Sequence, residues 1–521
     1  MLYNRHFGPL FISAIAALFL GVAGPASAQV TGGTVVLAQT AEPPTLDCHF
    51  NMLEAARNVY MNWCESLLTL DDAGTPIPQL AEKWELSPDR KTITFTLRQG
   101  VKFQNGKVMT SEDVRASIER YMKVSPAKSR LALVEAVETP TPETVVIKLS
   151  RPNPWFIASM ASPLMPIAIY PSELTNAPGG EIQNIGTGPY MLDEFKRGQF
   201  VTMRRYADYK PDERYAGPMG FGGRRIPYFD SIKIVFMREI SSQIAALEAK
   251  QIDIATSVPK PIIDRLAKNP AIKTYGLDRW GTDWIYVNNG WGPTKNLLIR
   301  QAIAASVNAE EIMAIATDGA YTLNHSWLYP DNKYWPGDIG KKTYNQNDPA
   351  KAKQLMKEAG YAGEEIIIAA TAGRPALKTA AVVLSQQLTK VGFNVKLNVY
   401  DHAAFHARRS QPDGWNLAVN EFSIDAYLGV YQHQIYWDGP KNWANATDPG
   451  QLATMHAAWV KALDSPDFDT QMDGVRTITK TILDDIWFIK LGDNSAFSAA
   501  RADLHGFKAF GMPRLWNVWR Q

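Results

Sequence analysis

Apolar and polar residues follow strand-like and helix-like periods in short blocks along the chain. In segment 91–97, isoleucine, phenylalanine and leucine alternate with threonine, which predicts a half-buried strand. The apolar segment 34–38 predicts a second short strand. Segment 110–121 carries apolar residues on one helical face, and Thr110 with Asp113 forms a capping-box pattern at its start. We therefore expect a helix there.

The second half of the chain shows the same mixture of helix and strand signals. A helix is expected to begin at Asp348 and Pro349 and to stop at Gly360. Segment 375–391 predicts a longer helix, which feeds an alternating strand over 393–399. Interleaved helices and strands in both halves predict α/β lobes rather than separate all-α and all-β domains. Because no Gly/Ser-rich or Pro-rich linker divides the halves, we expect a chain that crosses between two lobes more than once.

The length and the net charge of the chain limit the architectures and the partners that can be expected. The chain has 521 residues, more than one hydrophobic core usually serves, so we expect at least two lobes. A hydrophobic fraction of 45% and a charged fraction of 20% are ordinary for a folded soluble protein. The net charge is only +2 and no basic stripe is present, which argues against a nucleic-acid partner.

The first residues read as an export signal. A polar start with Arg5 precedes the apolar run Leu10–Leu20, and an A-x-A pattern ends at Ala28. This predicts a signal peptide over 1–28, cleaved after Ala28, and a periplasmic protein. The competing interpretation, a membrane anchor, is disfavoured because the apolar run is shorter than a bilayer-spanning helix. Segment 155–170 is apolar but interrupted by prolines, so no transmembrane helix is expected there.

Candidate chemistry is sparse. Cys48 and Cys64 are the two cysteines; export permits a disulfide, but Cys64 lies in a helical pattern and the sequence leaves the bridge open. His402 and His406 have i, i+4 spacing without the glutamate or third ligand of a metal site, so we expect neither a metal nor another cofactor.

Motifs for catalysis are also missing. The Gly186-Thr187-Gly188 segment lacks the remaining glycine and lysine of phosphate loops and is interpreted as a tight turn. No G-x-S-x-G nucleophile motif occurs. The residues therefore favour a binding protein over an enzyme.

A series of spaced motifs covers most of the chain. They are Pro44-Thr45-Leu46-Asp47, Glu65 to Leu70, Pro78 to Trp84, Thr94 to Phe103, Ser111 to Val114, Gly186 to Tyr190, Ala246 to Asp253, Val307 to Ile312, Asp348 to Gly360 and Gly506-Phe507. In this order they resemble the family 5 extracellular solute-binding proteins of bacterial ABC importers, the dipeptide, oligopeptide and nickel-binding group.

The resemblance implies a two-lobe α/β clamp of the periplasmic binding protein type. The first lobe would be discontinuous, 29–278 plus 491–521, with a subdomain inserted at about 71–200. The second lobe would span 279–490. Crossings near 277–284 and 490–494 would form the hinge, and closure around a ligand would present the protein to its permease.

The resemblance also implies ligand-binding residues. In dipeptide binders of this family an aspartate takes the ligand's ammonium group and an arginine takes its carboxylate. The matching segments place Asp425 and Arg374 at these positions, and Phe422 and Tyr427 join the candidate site as neighbours of Asp425. A carboxylate and a planar guanidinium suit a zwitterion. Glu421-Phe422 stands where the dipeptide group usually has Gly-Trp, which leaves the ligand open.

Three functions follow as hypotheses. The first is a monomeric periplasmic binding protein for a short peptide or an amino-acid conjugate such as an opine, which delivers its ligand to an inner-membrane ABC permease. The second keeps the fold but takes an oligosaccharide or glycoside, with Trp280, Trp284 and Trp291 as stacking surfaces; Trp284 is included in the candidate ligand site. The third is an exported hydrolase, which the missing nucleophile motifs disfavour.

Overall fold

The computed structural model of the 521-residue chain describes residues 31–51, 53–423 and 442–521. The strands are β1 (Thr34–Gln39), β2 (Leu68–Leu70), β3 (Pro76–Pro78), β4 (Ala81–Leu86), β5 (Thr92–Leu97), β6 (Val134–Thr141), β7 (Thr144–Leu149), β8 (Tyr190–Lys196), β9 (Phe200–Arg205), β10 (Pro218–Met219), β11 (Gly222–Gly223), β12 (Ser231–Phe236), β13 (Ile254–Ala255), β14 (Ile272–Val287), β15 (Tyr321–Thr322), β16 (Glu365–Thr371), β17 (Asn394–Tyr400), β18 (Leu417–Ser423), β19 (Phe488–Arg501), β20 (Leu504–His505) and β21 (Trp519–Arg520).

The helices are α1 (Glu54–Tyr60), α2 (Ser111–Val124), α3 (Phe156–Ala161), α4 (Ile240–Glu248), α5 (Lys260–Leu266), α6 (Leu297–Ser306), α7 (Ala309–Ala316), α8 (Pro349–Glu358), α9 (Pro375–Val391), α10 (His402–Arg409), α11 (Pro449–Asp464) and α12 (Phe468–Asp484). Helices and strands alternate through the described residues, so the predicted α/β class is confirmed.

One large mixed sheet organises the molecule. Its strand order is β17-β16-β18-β14-β19-β13-β1-β12-β9-β8, and β15 pairs with β19 at the side. The two long strands β14 and β19 run antiparallel at its centre and are the elements through which the chain passes between the two ends of the sheet. The register between them shifts between Leu277 and Gly281 and again between Asp283 and Trp284.

Each end of this sheet has its own hydrophobic core. Val35, Ile232 and Ile254 are fully buried in one core, which also includes residues from the inserted region. Ile285 and Ile366 are fully buried in another, under α6, α7 and α9. The fold is thus the two-lobe α/β architecture that was predicted. The lobe limits at 278/279 and 490/491 stay a prediction, although both fall near β14 or β19.

The region from 71 to 200 contains a separate four-stranded sheet, in the order β4-β5-β7-β6, with α2 against it. In β5 the isoleucine, phenylalanine and leucine side chains are buried and the threonines are half-buried, as the alternation predicted. Helix α2 begins at the predicted capping box, where Thr110 and Asp113 bond reciprocally to the backbone. The described strands thus include an additional sheet in the predicted insertion.

The predicted boundaries of α8 and α9 also agree with the structure. The Asp348 side chain accepts a hydrogen bond from the backbone N–H of Lys351, and Pro349 is the first helical residue of α8. Helix α9 spans the predicted residues 375–391 and ends at Gly392, whose φ of 117° is in the left-handed region that favours glycine.

Cys48 and Cys64 form a disulfide in the structure, which closes a sequence separation of 16 residues. The expectation that Cys64 lies in a helix is wrong, because α1 ends at Tyr60 and Cys64 lies four residues later. Close to the bridge, Arg120 and Asp47 form a buried ion pair with Nη2 and Oδ2 2.6 Å apart. The ion pair holds the segment before α1 against α2, and the bridge ties the same segment to the residues that follow α1.

The Gly186-to-Gly188 segment is a bend rather than the predicted tight turn, since no backbone hydrogen bond within the segment closes a turn. It packs against Trp63, because the Gly188 N–H donates to the Trp63 carbonyl oxygen and a β-carbon at Gly186 would lie 2.1 Å from that oxygen. Within segment 155–170 the structure has only the short helix α3. In the described part of the chain, no helix combines the length and apolar character needed to cross a membrane. The predicted signal peptide, 1–28, lies outside the described residues and stays a prediction.

Candidate functional site

A cavity of about 410 Å³ lies beside the crossing strands β14 and β19. Glu54, Tyr275 and Phe510 line it from the predicted first lobe, and Arg374 and Glu421 line it from the predicted second lobe. A cavity walled by both lobes is where a hinge motion would enclose a ligand.

Arg374 is held at the edge of this cavity by the start of α9. It precedes Pro375, and its extended backbone directs the chain into the helix. Its guanidinium Nη1 lies 2.8 Å from Oε1 of Glu421 on β18. The Arg374 side chain is 48% exposed and that of Glu421 only 14%. The cavity therefore contains an ion pair with one accessible and one largely enclosed member.

Behind Glu421, the crossing strands bring further polar groups together. Asn494 on β19 donates from Nδ2 to Oε2 of Glu421 (3.1 Å) and to Oδ1 of Asp283 (3.2 Å). Burial and, second to it, the neighbouring Glu421 carboxylate raise the pKa of Asp283 to about 8, although Lys490 acts to lower it. We therefore expect Asp283 to carry a proton at neutral pH.

Lys490 is fully buried next to this group. Its ammonium donates to the Thr282 hydroxyl, the Gly492 carbonyl and the Asp493 carboxylate. Burial lowers the pKa of Lys490, while Asp493 raises it. The Lys490 ammonium group therefore has its hydrogen-bond partners within β14 and β19. We do not expect it to bind a ligand.

Glu54, in the first turn of α1, adds a second carboxylate to the cavity wall. Burial raises the pKa of Glu54; Arg57 and Arg374 lower it, and Glu421 raises it. These mutual effects mean that Glu54, Arg374 and Glu421 form one electrostatic group, although Glu54 is separated from the other two by more than 300 residues.

Aromatic side chains form a further part of the cavity wall. Tyr275 and Phe507 meet edge to face with ring centroids 5.0 Å apart, and Trp280, Phe497 and Phe510 complete this wall. Such surfaces accept apolar side chains or sugar rings. A larger cavity of about 1100 Å³ adjoins the first and shares Leu277, Trp280 and Phe510 with it, so Trp280 lies between the two.

The structure places the predicted ligand residues in different environments. Arg374 lines the cavity. Trp284 does not: it is fully buried, its ring lies 4.3 Å from that of Trp327, and its indole N–H donates to Thr282. The assignment of Trp284 to the ligand site is therefore corrected, since its surface is used for core packing. Trp280, which is half-buried and lines the cavity, takes its place.

Three predicted residues fall partly or wholly outside the described part of the chain. Asp425 and Tyr427 lie between residues 424 and 441, which the structure does not describe. The backbone of Phe422 pairs with Thr282 in the β14–β18 ladder, and its side chain is not among those described. All three stay predictions.

His402 and His406 lie on α10 with ring centroids 4.6 Å apart. Burial, with the nearby Arg409, lowers the pKa of His406 to about 4. Among the described residues, no group of three or more His, Cys, Asp or Glu side chains could hold a metal ion.

Sequence reasoning missed Glu54, Asp283 and Asn494. No motif marks them, since each is a single polar residue in an otherwise structural segment. The one available signal was position: Asp283 and Asn494 fall in or at the end of the two segments predicted to form the hinge.

Comparison with known proteins gives a consistent result. Residues 75–451 match the family described as bacterial extracellular solute-binding proteins, family 5 Middle. A probable peptide ABC transporter periplasmic-binding protein, y4tO of Sinorhizobium fredii, is 27% identical over 480 residues, which is 87% of each chain. The glutathione-binding protein GsiB of Salmonella typhi is 27% identical, over 74% of this chain and 73% of its own length.

Solved structures share the fold. A dipeptide-binding protein from Pseudoalteromonas sp. SM9913 in complex with Met-Leu has a TM-score of 0.80 at 21% identity, covering 94% of this chain and all of the other. The binding protein AgaA from A. tumefaciens R10, in complex with agropinic acid, has a TM-score of 0.75 at 24% identity, covering 94% of this chain and 99% of its own.

Proposed function

Since the chain belongs to family 5 of the bacterial extracellular solute-binding proteins, we propose that it captures a short peptide or an amino-acid conjugate such as an opine. Members of this family are the solute-capturing components of ABC importers and deliver the ligand to an inner-membrane permease. The protein therefore acts on the periplasmic side.

We further propose that export removes residues 1–28; the intact mass of the periplasmic protein tests this cleavage.

The observation that carries the ligand class is the group of charges in the cavity between the lobes. Arg374 offers a half-exposed guanidinium, and Glu421 and Glu54 offer carboxylates beside it. A guanidinium binds a carboxylate with two parallel hydrogen bonds, and a carboxylate binds an ammonium group. A ligand with both groups, such as a peptide, fits this arrangement.

Asp425 is proposed as a further anchor for the ammonium group. Glu421, four residues earlier, lies on β18 and lines the cavity. The names of the relatives agree with a zwitterionic ligand, because they include proteins described as binding peptides and glutathione. Phe422, Tyr427 and Trp280 are proposed to contact the apolar part of the ligand.

A neutral oligosaccharide is the alternative ligand. The observation that favours it is the half-buried Trp280, which lines both cavities, since indole rings stack on sugar faces. The charge group around Arg374 favours the zwitterion.

We propose that the protein has no enzymatic activity; a turnover assay on peptide and ester substrates tests that proposal.

Native mass spectrometry of the purified protein tests the ligand class, because binding proteins of this kind can retain their ligand. We expect an added mass that tandem spectra identify as a peptide or an amino-acid conjugate. A retained neutral glycan would contradict the proposal.

We also propose that the protein is a monomer that closes on its ligand. Small-angle scattering should then show a smaller radius of gyration once that ligand is saturating, as expected for hinge closure.

A further inference from the structure

We infer that Glu421 is a specificity-determining residue, which neutralises Arg374 in the ligand-free protein and admits a ligand carboxylate only together with a cationic group. The inference rests on the proposed function, because it takes the cavity at Arg374 as the ligand site. It concerns a residue at which this chain departs from the dipeptide-binding pattern.

The first step is the geometry of the ion pair. Arg374 Nη1 and Glu421 Oε1 are 2.8 Å apart, so the guanidinium already has a carboxylate partner before any ligand binds. A ligand carboxylate must therefore compete with Glu421 for Arg374. If Glu421 loses its partner, its largely enclosed charge is left without compensation, which is costly in a site that closes.

The second step is that Glu421 is fixed in place. Asn494 donates to its Oε2 from β19, and β18 holds its backbone between β14 and β16. Glu421 is thus restrained from turning away from the cavity when a ligand enters. A cationic group on the ligand is the remaining way to satisfy the carboxylate.

The third step is the balance of charge around Arg374. Glu54 contributes a second carboxylate from the other wall of the cavity, and its pKa responds to both Arg374 and Glu421. The buried Arg57 also acts on Glu54 and lowers its pKa, while the buried Lys490 is bonded to Asp493. Of the other charged residues on the wall, Lys260 is paired with Asp264 at 2.5 Å, and Asp318 and Lys508 have opposite signs. A purely anionic ligand would place a third negative group beside Arg374, next to Glu421 and Glu54.

The consequence is a selection rule. A zwitterion exchanges both halves of the internal pair, its carboxylate binding Arg374 and its ammonium group binding Glu421 and Glu54. A ligand whose amine is blocked gains Arg374 but leaves the Glu421 carboxylate without a cationic partner. Glu421 therefore disfavours anionic ligands of the same shape, because their binding would leave the Glu421 carboxylate unpaired.

Arginine labelling tests the ion pair without any ligand. Phenylglyoxal modifies accessible guanidinium groups, and peptide mapping by mass spectrometry gives the rate at each arginine. In Glu421→Gln, we expect Arg374 to react about two- to fivefold faster than in the wild type, as for loss of a half-exposed ion pair. Arg279, which is paired with Asp331, serves as an internal reference.

A matched variant controls for general effects of removing a carboxylate. Glu248 pairs with the exposed Arg265 at 2.7 Å, far along the chain from this cavity. Glu248→Gln should accelerate labelling of Arg265 and leave Arg374 unchanged. An unchanged rate at Arg374 in Glu421→Gln would overturn the inference.

Affinity for defined peptides tests the selection rule. The probes are Ala-Phe and N-acetyl-Ala-Phe, titrated by calorimetry into the wild type and into Glu421→Gln. We expect the wild type to prefer the free amine, and the variant to shift the ratio of the two affinities by at least about tenfold toward the acetylated peptide. An unchanged ratio would overturn the inference.

The two experiments separate the failure of this inference from failure of the proposed function. If neither protein binds either peptide, the peptide proposal is contradicted, and the labelling rate at Arg374 decides the role of Glu421. If the peptides bind but both readouts are unchanged, the proposed function stands and Glu421 has a structural role only.

Discussion

Asp283 lies directly opposite Glu421 in the antiparallel pair of β14 and β18, and Asn494 donates to both carboxylates. Like charges at opposed positions of adjacent strands repel each other. The structure resolves this repulsion through Asp283, whose pKa is raised to about 8, first by burial and then by Glu421. A protonated Asp283 beside an ionised Glu421 leaves the negative charge on the side chain that faces the cavity.

This arrangement predicts a stability that falls as the pH rises. In the unfolded chain Asp283 loses its proton near its ordinary pKa of about 3.9, whereas in the folded protein it keeps the proton to about pH 8. Between these pH values the folded state binds more protons at Asp283 than the unfolded state does. The contribution of Asp283 to the free energy of unfolding therefore declines by at most about 1.4 kcal/mol for each unit by which the pH rises. Below pH 4 the contribution is fully present.

Asp283→Asn removes this titration and keeps the shape of the side chain. Urea unfolding of the wild type and the variant at pH 5 and pH 8 measures the difference. We expect the variant to gain stability relative to the wild type on going from pH 5 to pH 8. A difference between the two proteins that does not change with pH would show that Asp283 is ionised throughout.

The disulfide between Cys48 and Cys64 predicts a second effect on stability. The bridge closes a separation of 16 residues in the unfolded chain, and loops of this size correspond to about 3 kcal/mol. The double variant Cys48→Ala/Cys64→Ala should lose stability of this order, and reduction should destabilise the wild type similarly. Free thiols in the unreduced, unfolded wild type would contradict the bridge.

The close approach of Gly186 to the backbone of Trp63 predicts a third effect on stability. A β-carbon there would lie 2.1 Å from the carbonyl oxygen of Trp63, a backbone atom that cannot move aside cheaply. Gly186→Ala should lower the free energy of unfolding by about 1–3 kcal/mol or more. Gly217 is the matched control, because a β-carbon there meets no atom within 4 Å; Gly217→Ala should change stability by less than about 1 kcal/mol. Equal effects of the two substitutions would contradict this reading.

Much of the local structure was predictable because its cause lies within a few residues. The alternation in β5 places one face inside the additional sheet, and the Pro375 and Gly392 positions define both ends of α9. The same local signals failed at Cys64, where apolar residues at helical spacing belong to a buried turn after α1. Period alone does not distinguish a buried turn from a buried helix.

The site was predictable only in part. Arg374 was found through its resemblance to a known pattern, and the structure places it on the cavity wall. Glu54, Asp283 and Asn494 come from three separate segments, and only the pairing of β14, β18 and β19 with the nearby start of α1 brings them together. Trp284 was misassigned because composition does not reveal which face of β14 a tryptophan occupies.

The central claim is that a zwitterionic ligand is held between the lobes with its carboxylate on Arg374. The most direct measurement is calorimetry of the wild type and Arg374→Ala with the ligand identified by mass spectrometry and with its carboxyl amide. Comparing acid and amide within each protein isolates the carboxylate contact from any change caused by leaving Glu421 unpaired. We predict that the wild type prefers the acid by at least about tenfold and that Arg374→Ala abolishes this preference. An equal preference for the acid in both proteins would contradict the claim.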